Sequence, residues 1–217
     1  SRGGNIVLDC AVHNCYTRHR KQGKHMGRPK EFDTQDALVQ ATRVFWAKGY
    51  DATTMTDLLA ATGLSKSSLY ETFGSKRDLF LAALSSYCDQ RTQMMQELLQ
   101  SRATGRDAIA AFFALTVEQA RQADHPFGCL SCNEAAQMET HDAEVQRVVA
   151  RDIDAMEAAF AEAIRRGQAD GSVAPGLDAT RHARFLNTLH HGLQIMARIR
   201  SVERMEAAAA VALDTLG

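Results

Sequence analysis

Two cysteines three residues apart, in the run Phe127-Gly-Cys129-Leu-Ser-Cys132-Asn133, are the side chains of this sequence best suited to covalent chemistry. Gly128 opens a stretch with helical spacing, which puts Cys129 in the first turn of a helix expected over 127–138. A helix N-terminus favours thiolate over thiol and so raises nucleophilicity near neutral pH. Cys132 follows on nearly the same helix face. The same two side chains are also small enough to be packing residues against a neighbouring helix, and the spacing alone allows both roles. A Cys-x-x-Cys thiol redox protein is the alternative from another functional class. It needs a strand leading into the helix, whereas the chain shows helical periodicity throughout. Adjacent helical residues point to different faces, so of His190 and His191 only one easily reaches a cavity; His190 is the candidate for a polar contact with a small molecule. Nothing in the spacing brings His125, Cys129, Cys132 and the histidine pair together as a metal site. Cys10, His13, Cys15 and His19 sit in a segment too short to support zinc ligands. No catalytic set, metal or cofactor is expected.

A second kind of chemistry, recognition of a polyanion, is written into residues 54–76. Thr54 stands where an N-cap belongs, with Asp57 three residues later. Met55, Leu58 and Leu59 recur at helical spacing, and Gly63 ends the helix as a left-handed C-cap. Ser65 caps a second short helix that carries Leu69 and Phe73 inward. Gly74 stops it, and Ser75, with Asp78 after it, caps a third. Two short helices joined by a glycine-containing turn make a helix-turn-helix. Ser67 and Ser68 are small, so this second helix can lie deep in a major groove and offer hydroxyls to base edges. Lys66, Tyr70 and Lys76 are long donors that reach phosphates beside the groove. The N-terminus of the helix that Thr54 caps is itself an anion site.

The run Phe45-x3-Gly49-Tyr50-x2-Thr53-Thr54-Met55-x2-Leu58, followed by Gly63-Leu64-Ser65-Lys66-x2-Leu69-Tyr70-x2-Phe73-x-Ser75-Lys76-x2-Leu79-Phe80, resembles the DNA-binding domain of TetR-type (TetR/AcrR) bacterial transcriptional regulators. The resemblance covers residues 28–80. It departs from the usual pattern at Thr72, often His or Tyr, and at Ser67, usually Gly or Ala; these positions bear on which operator is read. The resemblance implies a ligand-responsive regulator, most often a repressor, whose partners are double-stranded operator DNA, a small-molecule effector and a second copy of the chain. The Gly-Cys-Leu entry with its following Asn resembles a subset that responds to reactive electrophiles or small unsaturated acids. Cys129, Cys132 and Asn133 of that stretch, with Phe112 from the apolar positions and His190 from its helix face, are the candidates for effector binding or sensing.

These residues need helices to position them, and the composition favours helices. Only three prolines and abundant Ala, Leu, Gln, Glu and Arg argue for an all-α chain. The net charge of −1 is not that of a generally basic nucleic-acid coat, and residues 27–80 carry seven basic and seven acidic side chains, so DNA affinity must come from where charges stand. Five cysteines without a small-framework spacing read as reduced thiols. Neither a spanning apolar run nor a secretory signal is visible, so no membrane association and a cytoplasmic location are expected.

Three segments follow. Residues 1–26 read as a tag-derived or disordered extension, with Met26 as the natural start; were they native, their basic end could enter a minor groove as an arm. Residues 27–80 form a three-helix helix-turn-helix domain, its first helix capped by Asp33 or Thr34 and ended by Lys48-Gly49. Residues 81–217 form a helical effector-binding and dimerisation domain. A long helix over 75–100 links the two, with Cys88 packed on its apolar side. Further helices are expected over 106–122, 141–167, 178–200 and 202–216, with a turn over 168–176. Phe112, Phe113, Met138, Met156, Phe160 and Met196 are placed to line an apolar cavity. The last two helices are expected to pair with their copies, and a charge at Leu193 or Leu213 to break the dimer or unfold the chain.

Overall fold

Thr34–Lys48 forms α1 because Ala37, Leu38, Ala41 and Phe45 recur on one face and are buried there. Gly49, at φ 77°, turns the chain out of the helix and donates its N–H to Phe45 O at 2.7 Å. These facts come from a computed structural model that describes residues 34–122, 128–137 and 142–217. The basic arm, Asp33, His125, Phe127, Met138, His141 and the cysteines and histidines of residues 1–26 therefore lie outside the described residues.

The next three helices begin and end where their caps predict. Thr54 and Asp57 close a reciprocal capping box at the start of α2 (Met55–Thr62), and Gly63 ends it in the left-handed conformation. Ser65 accepts the Ser68 N–H at the start of α3 (Lys66–Phe73). Ser75 and Asp78 form a second capping box at the start of α4 (Lys76–Gln100). Each cap satisfies N–H groups that a helix start leaves without partners. Leu58 and Leu69, both fully buried, fasten α2 and α3 to α1 and α4.

Beyond α4 come α5 (Gly105–Gln122), α6 (Leu130–Gln137), α7 (Ala143–Asp170), α8 (Ala179–Arg198) and α9 (Val202–Asp214). The described residues contain no strand. Two of the boundaries that differ from expectation bear on packing and on the thiols. Gly167 does not stop α7, which continues to Asp170 and is capped by Gly171 at φ 80°. Gly167 is instead a packing residue: a Cβ on Gly105 would stand 2.3 Å from Gly167 N, so α5 approaches α7 glycine to glycine. The α6 helix begins at Leu130, which leaves Cys129 at its N-cap position, its carbonyl accepting the Asn133 N–H at 2.9 Å.

Two apolar clusters hold the chain together. One joins Phe45, Leu58, Leu69, Leu79 and Phe80 to Cys88, Leu130, Val145 and Val149. The other contains Phe112, Phe113, Met156, Phe160, Leu186, Leu193 and Met205. The long helix α4 supplies both, with Leu79 to Cys88 in the first and Met95 and Leu99 in the second. Between Cys88 and Met95 the buried side of α4 carries Arg91 and Thr92. Cys88 is a packing residue, as its place on the stripe suggests, and burial pushes its thiol well above the usual range.

Candidate functional site

The polar face of α3 is built from its own first turn. Leu69 faces inward, leaving Lys66, Ser67 and Tyr70 exposed and Ser68 half-buried. Ser65 Oγ lies 3.0 Å from Ser67 Oγ and 2.8 Å from Ser68 Oγ, so three hydroxyls gather at the helix start. Lys66 Nζ stands 6.0 Å from the Tyr70 ring centre, and Lys76 Nζ lies 4.4 Å over the Tyr50 ring. Such cation–π contacts hold the lysine stems without neutralising them. At the start of α2, Asp57 accepts the Thr54 N–H at 2.9 Å and its hydroxyl at 2.7 Å, and binds Lys48 at 2.6 Å. The Lys48 hydrogen bond, then those of Thr54, hold the Asp57 carboxyl well below its usual range. The chain's own carboxylate thus occupies part of the anion site expected at Thr54.

A second set of polar groups is buried where α4, α6, α7 and α8 meet. Arg91 donates from Nη2 to Asp152 Oδ2 at 2.5 Å and from Nη1 to Cys129 Sγ at 3.1 Å. His190 Nε2 lies 3.5 Å from the same Nη1. Asp152 also accepts from Thr92 at 3.1 Å and from Ser131 at 2.8 Å. Ser131 Oγ is 3.1 Å from Cys129 Sγ, and the Tyr87 hydroxyl donates to that sulfur at 3.6 Å. Arg91 Nε, His190 Nδ1 and Asn187 Oδ1 are buried without a hydrogen-bond partner.

The electrostatics follow from this arrangement. A hydrogen bond from the Cys132 thiol and the neighbouring Arg91 charge hold Cys129 well below the usual thiol range, against the opposing effect of burial. The same hydrogen bond and burial push Cys132 well above that range. Burial, reinforced by Arg91, keeps His190 neutral. The arrangement is a buried guanidinium shared between a carboxylate and a nucleophilic sulfur, with a protonated thiol beside the sulfur.

Of the five residues proposed from the sequence, Cys129, Cys132 and His190 meet around Arg91. Phe112 is fully buried and stacks edge-on against His190 at 4.9 Å. Asn133 accepts instead from Arg198 at 3.1 Å. The rings of Phe112, Phe113 and Phe160 close on one another at 4.8 to 6.0 Å between centres. Sequence reasoning missed Arg91, Asp152, Ser131 and Tyr87. A usable signal was present: Arg91 and Asp152 interrupt two apolar stripes, Cys88-Arg91-Met95 and Val145-Val149-Asp152-Met156, with opposite charges. Among the described residues, no group of three or more His, Cys, Asp or Glu side chains is placed to hold a metal ion. No described helix is long and apolar enough to cross a membrane.

Outward from this cluster, α8 exposes Phe185 and Ile195, its C-cap Ile199 is exposed on the same side, and α9 exposes Val211. Leu193, expected at an interface between copies, is 2% exposed and belongs to the core of its own chain. It faces inward, away from the Ile195 and Ile199 side of α8. Leu213 is partly buried against the same core.

Residues 37–83 match the family model described as bacterial regulatory proteins, tetR family, and residues 105–213 match that of the tetracyclin repressor-like C-terminal domain. The chain is 33% identical to the HTH-type transcriptional regulator YezE of Bacillus subtilis, over 88% of its own length and all of that protein. It is 32% identical to the HTH-type transcriptional repressor ComR of Escherichia coli, covering 81% of this chain and 84% of that one. Among solved structures it is similar to the TetR family regulator CifR, a cysteine mutant complexed with 26-bp operator DNA. That similarity has a TM-score of 0.77 and 31% identity, over 88% of this chain and all of that one.

Proposed function

The chain belongs to the tetR family of bacterial regulatory proteins, and on that premise we propose that it is a homodimeric repressor released from its operator by a small reactive molecule that modifies Cys129. Two copies pair through the outward faces of α8 and α9 and set two α3 helices into successive major grooves, roughly 34–36 Å apart. Ser67 and Ser68 face bases, and Lys66, Tyr70, Lys76 and the Thr54 end of α2 meet phosphates. Residues 27–80 act as the reading head and residues 81–217 as the sensing and pairing unit.

The observation that carries this proposal is the bond from Arg91 to Cys129. Arg91 lies on α4, and the first turn of that same helix supplies Lys76 beside α3. An electrophile that alkylates Cys129 converts a thiolate into an uncharged thioether, removes one anionic partner of Arg91 and adds volume at the junction of four helices. Tilting α4 then changes the spacing of the two heads. A tenfold loss of operator affinity requires about 1.4 kcal/mol of coupling, within the usual range.

The test is a gel-shift titration against the DNA upstream of the chain's own gene, with and without N-ethylmaleimide. The wild type is expected to lose about tenfold or more in affinity, and Cys129→Ser to keep it. An equal response in the two proteins refutes the sensing role. Lys76→Ala is expected to weaken binding similarly across operators and to lower the salt slope by about one unit. A change in operator preference with an intact slope would instead assign Lys76 to base contact.

A further inference from the structure

We propose that Cys129 and Cys132 are the attacking and resolving thiols of a reversible intrachain disulfide, formed with a hydroperoxide. This deepens the sensing role proposed for Cys129 and rests on it. It adds a second class of signal, an oxygen-transferring oxidant, and assigns Cys132 a task that alkylation does not use.

The two sulfurs occupy unlike positions. Cys129 stands at the N-cap of α6, 2% exposed, with Arg91 Nη1 at 3.1 Å. Cys132 lies one turn on, half-buried rather than buried, and within hydrogen-bonding reach of Cys129 Sγ. A Cys-x-x-Cys pair at a helix start, with the first sulfur as thiolate and the second as thiol, is the division of labour a dithiol needs. The surroundings are complementary. The Tyr87 and Ser131 hydroxyls bracket the Cys129 sulfur. Arg91 Nη1, which already donates to that sulfur, is the donor nearest to an oxygen placed on it.

The chemistry balances without any further reactant. The Cys129 thiolate attacks one oxygen of the hydroperoxide ROOH; the S–O bond forms, the O–O bond breaks, and RO⁻ leaves and takes a proton to become the alcohol. The sulfur is now a sulfenic acid, oxidised by two electrons. The Cys132 sulfur attacks Cys129 Sγ, the S–S bond forms, and hydroxide leaves with the Cys132 proton as water. One hydroperoxide is consumed and two thiols become one disulfide. Access to the buried sulfur is through local opening of α6. That helix spans only eight residues, and its one large buried apolar side chain among the described residues is Leu130. Either product removes the thiolate from Arg91, so oxidation and alkylation act on α4 through the same guanidinium.

The experiment uses the full chain, hydrogen peroxide as the oxidant, and two readouts. Tryptic digestion leaves both cysteines in the peptide 122–147. In the wild type, one equivalent of peroxide is expected to make this peptide lighter by two hydrogens and to lower operator affinity about tenfold. Dithiothreitol reverses both changes. In Cys132→Ser, dimedone is expected to trap a sulfenic acid at Cys129, and excess peroxide to carry it to sulfinic and sulfonic acids that dithiothreitol does not restore. The proposal is overturned if the wild-type peptide keeps both thiols, if Cys129 pairs with Cys88 or another cysteine, or if Cys132→Ser recovers as fully as the wild type. A disulfide that forms with operator affinity unchanged also overturns it as a switch. The mass readout needs no DNA: failure of the reduced protein to bind operator would defeat the proposed function, while the peptide masses would still decide the disulfide.

Discussion

Glu134 and Asp152 are two buried carboxylates on neighbouring helices with opposite surroundings. Asp152 carries Arg91, Thr92 and Ser131 on its oxygens. Glu134 is 6% exposed, and burial, with Asp51 adding, pushes its carboxyl up to about 7. A group with a raised folded value stays protonated after the unfolded chain has released its proton. Stability from Glu134 is therefore present below about 4.5 and is lost as the pH rises towards about 7. Between about pH 5 and pH 8 the wild type is expected to lose about 2 kcal/mol that Glu134→Gln keeps. Urea unfolding at the two pH values measures this, and parallel pH slopes in the two proteins would refute it. The Arg91 to Asp152 pair has a different weight. Burying two charges costs much of what their attraction returns, so the intact pair adds little net stability, whereas removing either partner strands a buried charge. Only the opposite charges on two apolar stripes hinted at it in the sequence.

At the scale of elements, the helices that were legible are those whose limits are set locally. Thr54, Ser65 and Ser75 each find their partner three residues on, so the caps can be read directly. Gly167 shows where this fails. A glycine near an expected turn reads as a stop, yet this one serves the contact with Gly105, which lies on another helix. A methyl group on Gly105 would meet Ala163 O and Gly167 N, both at 2.3 Å and both backbone atoms that cannot rotate away. Gly105→Ala is expected to destabilise the chain by about 3 kcal/mol or more, because α5 must move off α7. Gly171→Ala, with open space around it and only the positive φ to oppose it, should cost about 1 kcal/mol. Equal losses in the two variants, measured by chemical unfolding, would show that α5 accommodates the methyl group.

For the whole molecule, the decisive question is which side of α8 faces the second copy in the proposed homodimer. Ile195 is 55% exposed and Ile199 64% exposed in the single chain, whereas Leu193 is buried. A charge at Leu193 strands an ion in the chain's own core and is expected to unfold it, at several kcal/mol. Ile195→Glu is expected to leave the fold intact, within about 0.5 kcal/mol, while converting the dimer to monomer. Operator affinity should fall with it, because one head alone cannot span both half-sites. Sedimentation velocity beside thermal unfolding separates the cases. A dimeric Ile195→Glu protein with full operator affinity would remove this face from the interface.

The sequence by itself determined the helical class, the helix-turn-helix and its caps, and the pair of thiols, because each of these is encoded within a few adjacent residues by spacing, turn chemistry and side-chain type. Tertiary structure alone decided what surrounds the thiols. Arg91 reaches Cys129 across 38 positions and Asp152 across 61, and no local pattern specifies partners at such separation. It also decided which apolar residues of α8 are core and which remain on the surface. Periodicity marks an apolar face, but only the packing of α5, α7 and α9 against that helix determines how far around it burial extends.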